Sequence, residues 1–395
     1  MKSLCKYILP ICTLISLYLY EKSTLANVAI TSVFYGEEEV ISSTIILILF
    51  VLMSISTFFM KGIMVVSEEG RKLKNSLIAF LVYVYILSVS ISLFVPFQSR
   101  ILYFAIGLPL LSFMVVQRFL RVHRAINILY GIVVLFFLLS YQYLINYNIV
   151  HAAASDTSSN NSSYFLLYLL PFLLCIEKKY LKWMLIFIVV IAVLSSFKRG
   201  GTIAVFASLL VYYYVNNIKL TGGSSKILYL LLLLFTVFIV VSFLNSTDNL
   251  IIEHLSERFI NIKNDNGSGR SETISEALLQ FTNSDVISML FGHGWNMVEQ
   301  TLKSGISAHN DFIECLYDFG IIGFILLLRV LFAAYKYLKS LIANRSIYAA
   351  PFAASCTIFM LNTMVSHILI YPYYLLLFMA FISFVIYSSS NTEHV

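Results

Sequence analysis

Twelve apolar runs, most of them near the length that crosses a bilayer, constrain this chain more than any other feature. They lie near 4–20, 41–60, 77–96, 101–117, 126–146, 164–176, 181–197, 202–216, 227–244, 312–328, 349–368 and 373–388. A helix of roughly 20 apolar residues spans about 30 Å of hydrocarbon. The whole sequence is 59% hydrophobic and 12% charged, whereas a soluble domain carries about 25% charge. Folding in water could not hide so much apolar surface. The pattern predicts an all-α polytopic membrane protein of about twelve spans, several of them extending into polar flanks. The first run, preceded by Lys2 and Lys6, reads as a retained span, because no clear small-residue cleavage site follows it. No period of 20–50 residues repeats, which removes solenoids and propellers.

Lysine and arginine give the orientation. With Met1 inside and one crossing per run, 18 of the 26 cations fall on the inner side and 8 on the outer, as the positive-inside rule requires. Both termini are then cytoplasmic. The net charge of +6 is thereby absorbed by membrane topology, and no nucleic-acid partner is expected. Five cysteines, all in or beside apolar runs and none in C-x-x-C, indicate neither a disulfide framework nor a zinc site.

This parity divides the chain into spans one to nine (1–244), a large extracytoplasmic loop between spans nine and ten (245–310), and spans ten to twelve (311–395). A long loop between spans is usually functional or disordered, and this one has helical patterning. Ile251, Ile252, Leu255, Phe259 and Ile262 share a face that suits a helix lying in the interface. Gly267-Ser268-Gly269 breaks it, and a second helix is predicted to start near Thr273-Ile274-Ser275-Glu276, which has capping-box spacing.

Chemistry-bearing residues collect on the outer side. Lys198 and Arg199 stand at the end of the seventh run, followed by Gly200-Gly201. Glycines let backbone approach a ligand, and a guanidinium clamps phosphate through parallel hydrogen bonds; the alternative is a cation snorkelling to headgroups. Arg270 follows the Gly-Ser-Gly turn at a helix start, where backbone N–H groups favour anions; otherwise it is an exposed loop arginine. His309, beside Asp311, suits a general base near neutral pH, although a lone histidine is more often structural. Glu314 and Asp318 stand four apart on the tenth run, and carboxylates at that depth suggest function, though Glu314 also fits a merely interfacial position. His293, in Gly292-His293-Gly294-Trp295, reads as a turn residue or a sugar contact.

Three of these stretches, in this order, resemble the O-antigen ligase and O-antigen polymerase superfamily. Phe197-Lys198-Arg199-Gly200-Gly201 resembles its S-x-R-G element. Arg270 before Leu290-Phe291-Gly292-His293-Gly294-Trp295 resembles its arginine before a G-x-G turn. His309-Asn310-Asp311-Phe312-Ile313-Glu314-Cys315-Leu316-Tyr317-Asp318-Phe319-Gly320-Ile321-Ile322-Gly323 resembles the histidine that closes the large loop and the G-x-x-G that follows. Lys198 departs from the small or polar residue commoner at its position.

The resemblance implies a metal-independent, inverting glycosyltransferase with a GT-C-type membrane fold and no cofactor. It would work at the periplasmic face of a bacterial inner membrane. Arg199, Arg270 and His309 become the catalytic residues, with Lys198, Asp311, Glu314 and His293 toward substrate binding. The donor would be a glycan on undecaprenyl diphosphate and the acceptor a sugar hydroxyl. Membrane lipids and a chain-length regulator are the other partners to consider. The Lys-Arg-Gly-Gly variant and the compact loop favour a polymerase of lipid-linked repeat units over a ligase acting on lipid A–core. A flippase or other secondary transporter is the reading from another class, but its two halves should carry related patterns, and here only the second carries a large loop.

Overall fold

The computed structural model describes residues 66–92, 107–120, 124–152, 163–196, 199–220, 270–303, 305, 307–365 and 372–392. The described residues form helices, turns and connecting loops, with no strand among them. In chain order the helices are α1 (Glu68–Ser92), α2 (Leu108–Leu120), α3 (Ala125–Ala152), α4 (Ser163–Leu174), α5 (Lys179–Ser195), α6 (Arg199–Tyr213, continuing as a π-helix over Tyr214–Leu220), α7 (Arg270–Thr282), α8 (Val286–Phe291), α9 (Met297–Thr301), α10 (Asp311–Ala343), α11 (Ala349–Val365) and α12 (Pro372–Thr392). Helices α1 to α6 and α10 to α12 overlie nine of the apolar runs. The runs near 4–20, 41–60 and 227–244, the interfacial helix expected at 250–262 and Lys198 lie outside the described residues.

The protein is a polytopic membrane protein by its helices. Ala125–Ile145, Gly200–Leu220 and Asp311–Ala343 are each long and apolar enough to cross a bilayer, and shorter apolar helices pack among them. Helix α4 explains how the bundle coheres. Its sequence, SYFLLYLLPFLL, is apolar on every side, and every residue except Tyr164 is buried. A helix without a polar face must be enclosed by others, and α4 touches α3, α5, α11 and α12. Around it, α2 packs along α12, α11 along α6, and α10 along α1.

The short helices α7, α8 and α9 join this bundle through one break in α10. Gly320, at φ 67 and ψ −172, interrupts the 33-residue helix. The carbonyls just before the break accept bonds from outside α10. Tyr317 O takes the His293 N–H at 3.0 Å and Asp318 O the Gly294 N–H at 2.8 Å. Phe319 O takes the Tyr83 hydroxyl of α1 at 2.9 Å. The approach is so close that only glycine fits on either side. A β-carbon on Gly292 would lie 2.2 Å from Asp318 O, and one on Gly320 would lie 2.4 Å from Leu290 O. The two glycine motifs of the sequence are thus halves of a single contact.

Helix α7 begins at Arg270, one turn earlier than the capping-box spacing predicts. Thr273 is fully buried within that first turn, so it packs inward where a capping residue would stand outside the helix.

Gly292→Ala and Gly320→Ala should each lower the unfolding temperature of the purified protein. Backbone strain at positive φ costs about 1–3 kcal/mol by itself, and the backbone overlap adds to it. Gly305, also at positive φ but facing open space, should cost only the strain when changed to alanine. The Gly292–Gly320 double variant should lose less than the sum of the singles, because both break one contact.

Candidate functional site

Arg199 is the first residue of α6, not the last of the preceding helix, which ends at Ser195. Arg270 is likewise the first residue of α7. Both arginines are placed by their backbones alone. A helix start carries partial positive charge from its unpaired N–H groups. A cation is disfavoured there, and an anion is favoured.

His309 stands before the start of α10. Asn310 is the N-cap, its side chain accepting from the N–H of Phe312 at 3.0 Å and of Ile313 at 3.3 Å. His309 itself has a left-handed backbone, φ 51, uncommon for a residue with a side chain. The Glu314 carboxylate holds that turn by accepting the His309 N–H at 3.0 Å. Glu314 is buried at 1% exposure, so this is an interior bond on which the half-buried His309 depends. Strained backbone of this kind gathers at functional sites.

The end of α11 brings the two stretches together. Asn310 Nδ2 donates to Met364 O at 3.4 Å. A β-carbon on Gly200 would meet Val365 Cγ2 at 2.9 Å and the Tyr164 hydroxyl at 3.5 Å. The starts of α6 and α10 therefore flank the same two residues, although 110 positions separate Arg199 from His309. Helix α7 reaches the same region by another route. Its Ala277 and Phe281 share an apolar cluster with Val298, Leu302, Ala308 and Tyr317, and Gln280 Oε1 accepts the Tyr317 hydroxyl at 2.9 Å. Ala308 adjoins His309. Arg270 lies two turns before Ala277, about 10 Å of helical rise.

Beneath these helix ends is a buried polar group that the sequence reading missed. Asn362 Nδ2 donates to the Tyr168 hydroxyl at 3.0 Å, and the Tyr168 ring stacks on Tyr374 with centroids 5.7 Å apart. Asp311, with 0% exposure, lies within electrostatic reach of the Tyr168 hydroxyl. An asparagine inside an apolar run was the available signal. Its partner, 194 residues away, left no trace in the local pattern.

His293 and Asp318 build the frame around this region. His293 stacks on Tyr317 with centroids 4.3 Å apart. Its Nδ1 meets Tyr317 O at 3.1 Å and its Nε2 meets Ser284 Oγ at 3.0 Å. The ring is engaged at both nitrogens and on its face, the geometry of a pinned turn. Asp318 is fully buried, and its carboxylate accepts the N–H groups of Asn296, Met297 and Val298 at 2.8, 3.1 and 3.2 Å. It therefore caps α9 across space from another helix. Asp285 caps α8 through the N–H groups of Ile287 and Ser288. The Ser288 hydroxyl, followed by the backbone N–H groups, holds the Asp285 carboxyl below its usual range.

A model of the O-antigen ligase family matches residues 184–328. The chain resembles the O-antigen polymerase and ligase superfamily. The matched stretch runs from within α5 to within α10 and contains Arg199, Arg270, His293, His309 and both glycine motifs. No curated protein matches the chain significantly. Among the described residues no three His, Cys, Asp or Glu side chains gather as a metal site.

Asp318→Ala should strip three N–H groups of their acceptor. Each buried, unpaired donor costs about 1–3 kcal/mol, so amide exchange at Asn296–Val298 should rise well before the bundle itself opens. Asp285 should show the sign of a depressed carboxyl. Its cap is complete above the unfolded pKa of about 3.9 and is lost as pH falls through the lower folded value. Exchange within α8 should then accelerate in acid, and Asp285→Asn should remove that pH dependence.

Proposed function

We propose that the protein is a membrane glycosyltransferase that polymerises oligosaccharide repeat units carried on undecaprenyl diphosphate, acting at the extracytoplasmic face. The observation that carries this reading is the placement of Arg199, Arg270 and His309 at helix starts. Two of those starts flank Met364 and Val365, and the third belongs to a helix packed against Ala308. An anion-binding region beside a histidine is what transfer from a lipid diphosphate requires.

In this mechanism Arg199 and Arg270, with the N–H groups of their helix starts, hold the donor diphosphate. They stabilise the charge that grows on it as the glycosidic C–O bond breaks. The acceptor hydroxyl attacks the anomeric carbon from the opposite side and inverts it. Its proton passes to a ring nitrogen of His309, and the bond electrons leave with the diphosphate. Glu314 keeps the His309 turn in place, and Asp311 with Lys198 completes the polar surroundings. Charge stabilisation comes from cations and dipoles, so no metal is required. Roles for His293 beyond its turn are not needed by this scheme.

The reading carries with it the GT-C-type arrangement, about twelve spans, the division at residues 244 and 310, and an inner-membrane location with the site toward the periplasm. A ligase that passes finished glycan to lipid A–core is the second reading, favoured by the description of the matched family. The Lys-Arg-Gly-Gly variant and the compact loop favour the polymerase.

Arg199→Ala or Arg270→Ala should reduce transfer by at least about a hundredfold, the scale for losing one charge-stabilising donor. His309→Ala should stop turnover while donor binding survives. Near-normal product from any of these, with the protein still in the membrane, would remove the role assigned to that residue. Activity should persist in chelator. In a deletion strain, surface glycan capped at one repeat unit marks a polymerase. Long chains retained on the lipid carrier mark a ligase, and an unchanged profile overturns both.

A further inference from the structure

The opposite end of the bundle carries a second polar feature, unconnected with sugar transfer. Helix α10 is 33 residues long, about 50 Å of rise, and its far end helps to enclose a cavity of 430 Å³. The α4–α5 turn, the π-helix and the α10–α11 turn form its walls. Lys182 and Arg345 line it, together with Tyr212, Asn216 and Tyr348, against one acid, Glu177. Glu177 lies within electrostatic reach of Lys182, and a single carboxylate faces the two cavity cations. The lining has an excess of positive charge and a volume suited to a small ligand.

Arg345 is an unusual residue for its place. It follows the C-cap Asn344 with φ 49, the position where a helix normally ends on glycine. The bonds that close the turn, Arg345 N–H to Ile342 O at 3.0 Å and Ser346 N–H to Leu341 O at 2.9 Å, are backbone bonds. Glycine would make them without the strain of a β-carbon. The arginine strains the helix end where glycine would not, and its side chain lines the cavity. Asn216 comes from a seven-residue π-helix, a form that recurs at functional positions.

The surroundings say which anion. Tyr180 and Trp183, 92% and 48% exposed, stand at the same end of α5 as Lys182, as aromatic residues do at headgroup level. The exposed apolar residues Met184, Phe187 and Ile191 follow on the side of α5 turned away from Lys182, so the cavity lies beside a helix face suited to hydrocarbon. We propose that this cavity binds the phosphate of an anionic phospholipid from the adjoining leaflet, clamped by Lys182 and Arg345. Basic pockets between membrane helices take such headgroups.

The test is native mass spectrometry of the full chain in detergent, titrated with phosphatidylglycerol or phosphatidylcholine. The wild type should retain one equivalent of phosphatidylglycerol at least about tenfold more tightly than phosphatidylcholine, a 1.4 kcal/mol preference. Arg345→Gly should abolish most of that preference while leaving the unfolding temperature equal or higher, since glycine suits the turn. Lys182→Met should lower the preference independently. Equal retention of the two lipids by the wild type, or a preference untouched by both variants, would overturn the proposal. Displacement of the lipid by excess inorganic phosphate would overturn its lipid half, marking a site for the free anion. None of these readouts depends on transfer activity, so the result stands apart from the proposed function.

Discussion

The break at Gly320 is the constraint on which the outer half of the molecule depends. A long apolar helix uses its own carbonyls and offers a loop nothing to bond. By leaving helical geometry at one residue, α10 presents the carbonyls of Tyr317, Asp318 and Phe319 to partners from two other elements. The Gly292-His293-Gly294 turn takes two of them, and Tyr83 of α1 takes the third. Polar backbone at membrane depth is tolerated only when protein covers it, so the turn and the break need each other.

Several features follow from that docking. With the turn fixed, Asp318 faces the start of α9 and can cap it, and Tyr317 lies between the His293 ring and the apolar cluster of α7. The helix that starts with Arg270 is in this way tied to the segment of α10 that starts beside His309. The polar residues singled out in the sequence thus divide into two kinds. His293 and Asp318 hold backbone in place, whereas Arg199, Arg270 and His309 stand at helix starts. The sequence pattern did not separate these kinds, because a residue that frames a turn and one that opens a helix look alike in a string of letters.

The two ends of the bundle differ in which helices begin there. Helices that begin at one end expose N–H groups there, and α4, α6, α10 and α12 all begin at the His309 end. Helices α5 and α11 begin at the far end, beside Lys182 and Arg345.

The sequence by itself determined the class of molecule. Apolar runs of fixed length leave little freedom in hydrocarbon, and nine of them coincide with helices, because local periodicity and solvent transfer decide that level. The order of the arginine, glycine and histidine motifs was also legible, since each is a short string. What only the tertiary structure decided is who meets whom. The contact of Gly292 with Gly320, the cap of α9 by Asp318 and the bond between Asn362 and Tyr168 join residues 20 to 194 positions apart. No local propensity encodes such a meeting. It is settled by packing, which brings two backbones within reach only where a side chain is missing and every buried polar group must find its partner.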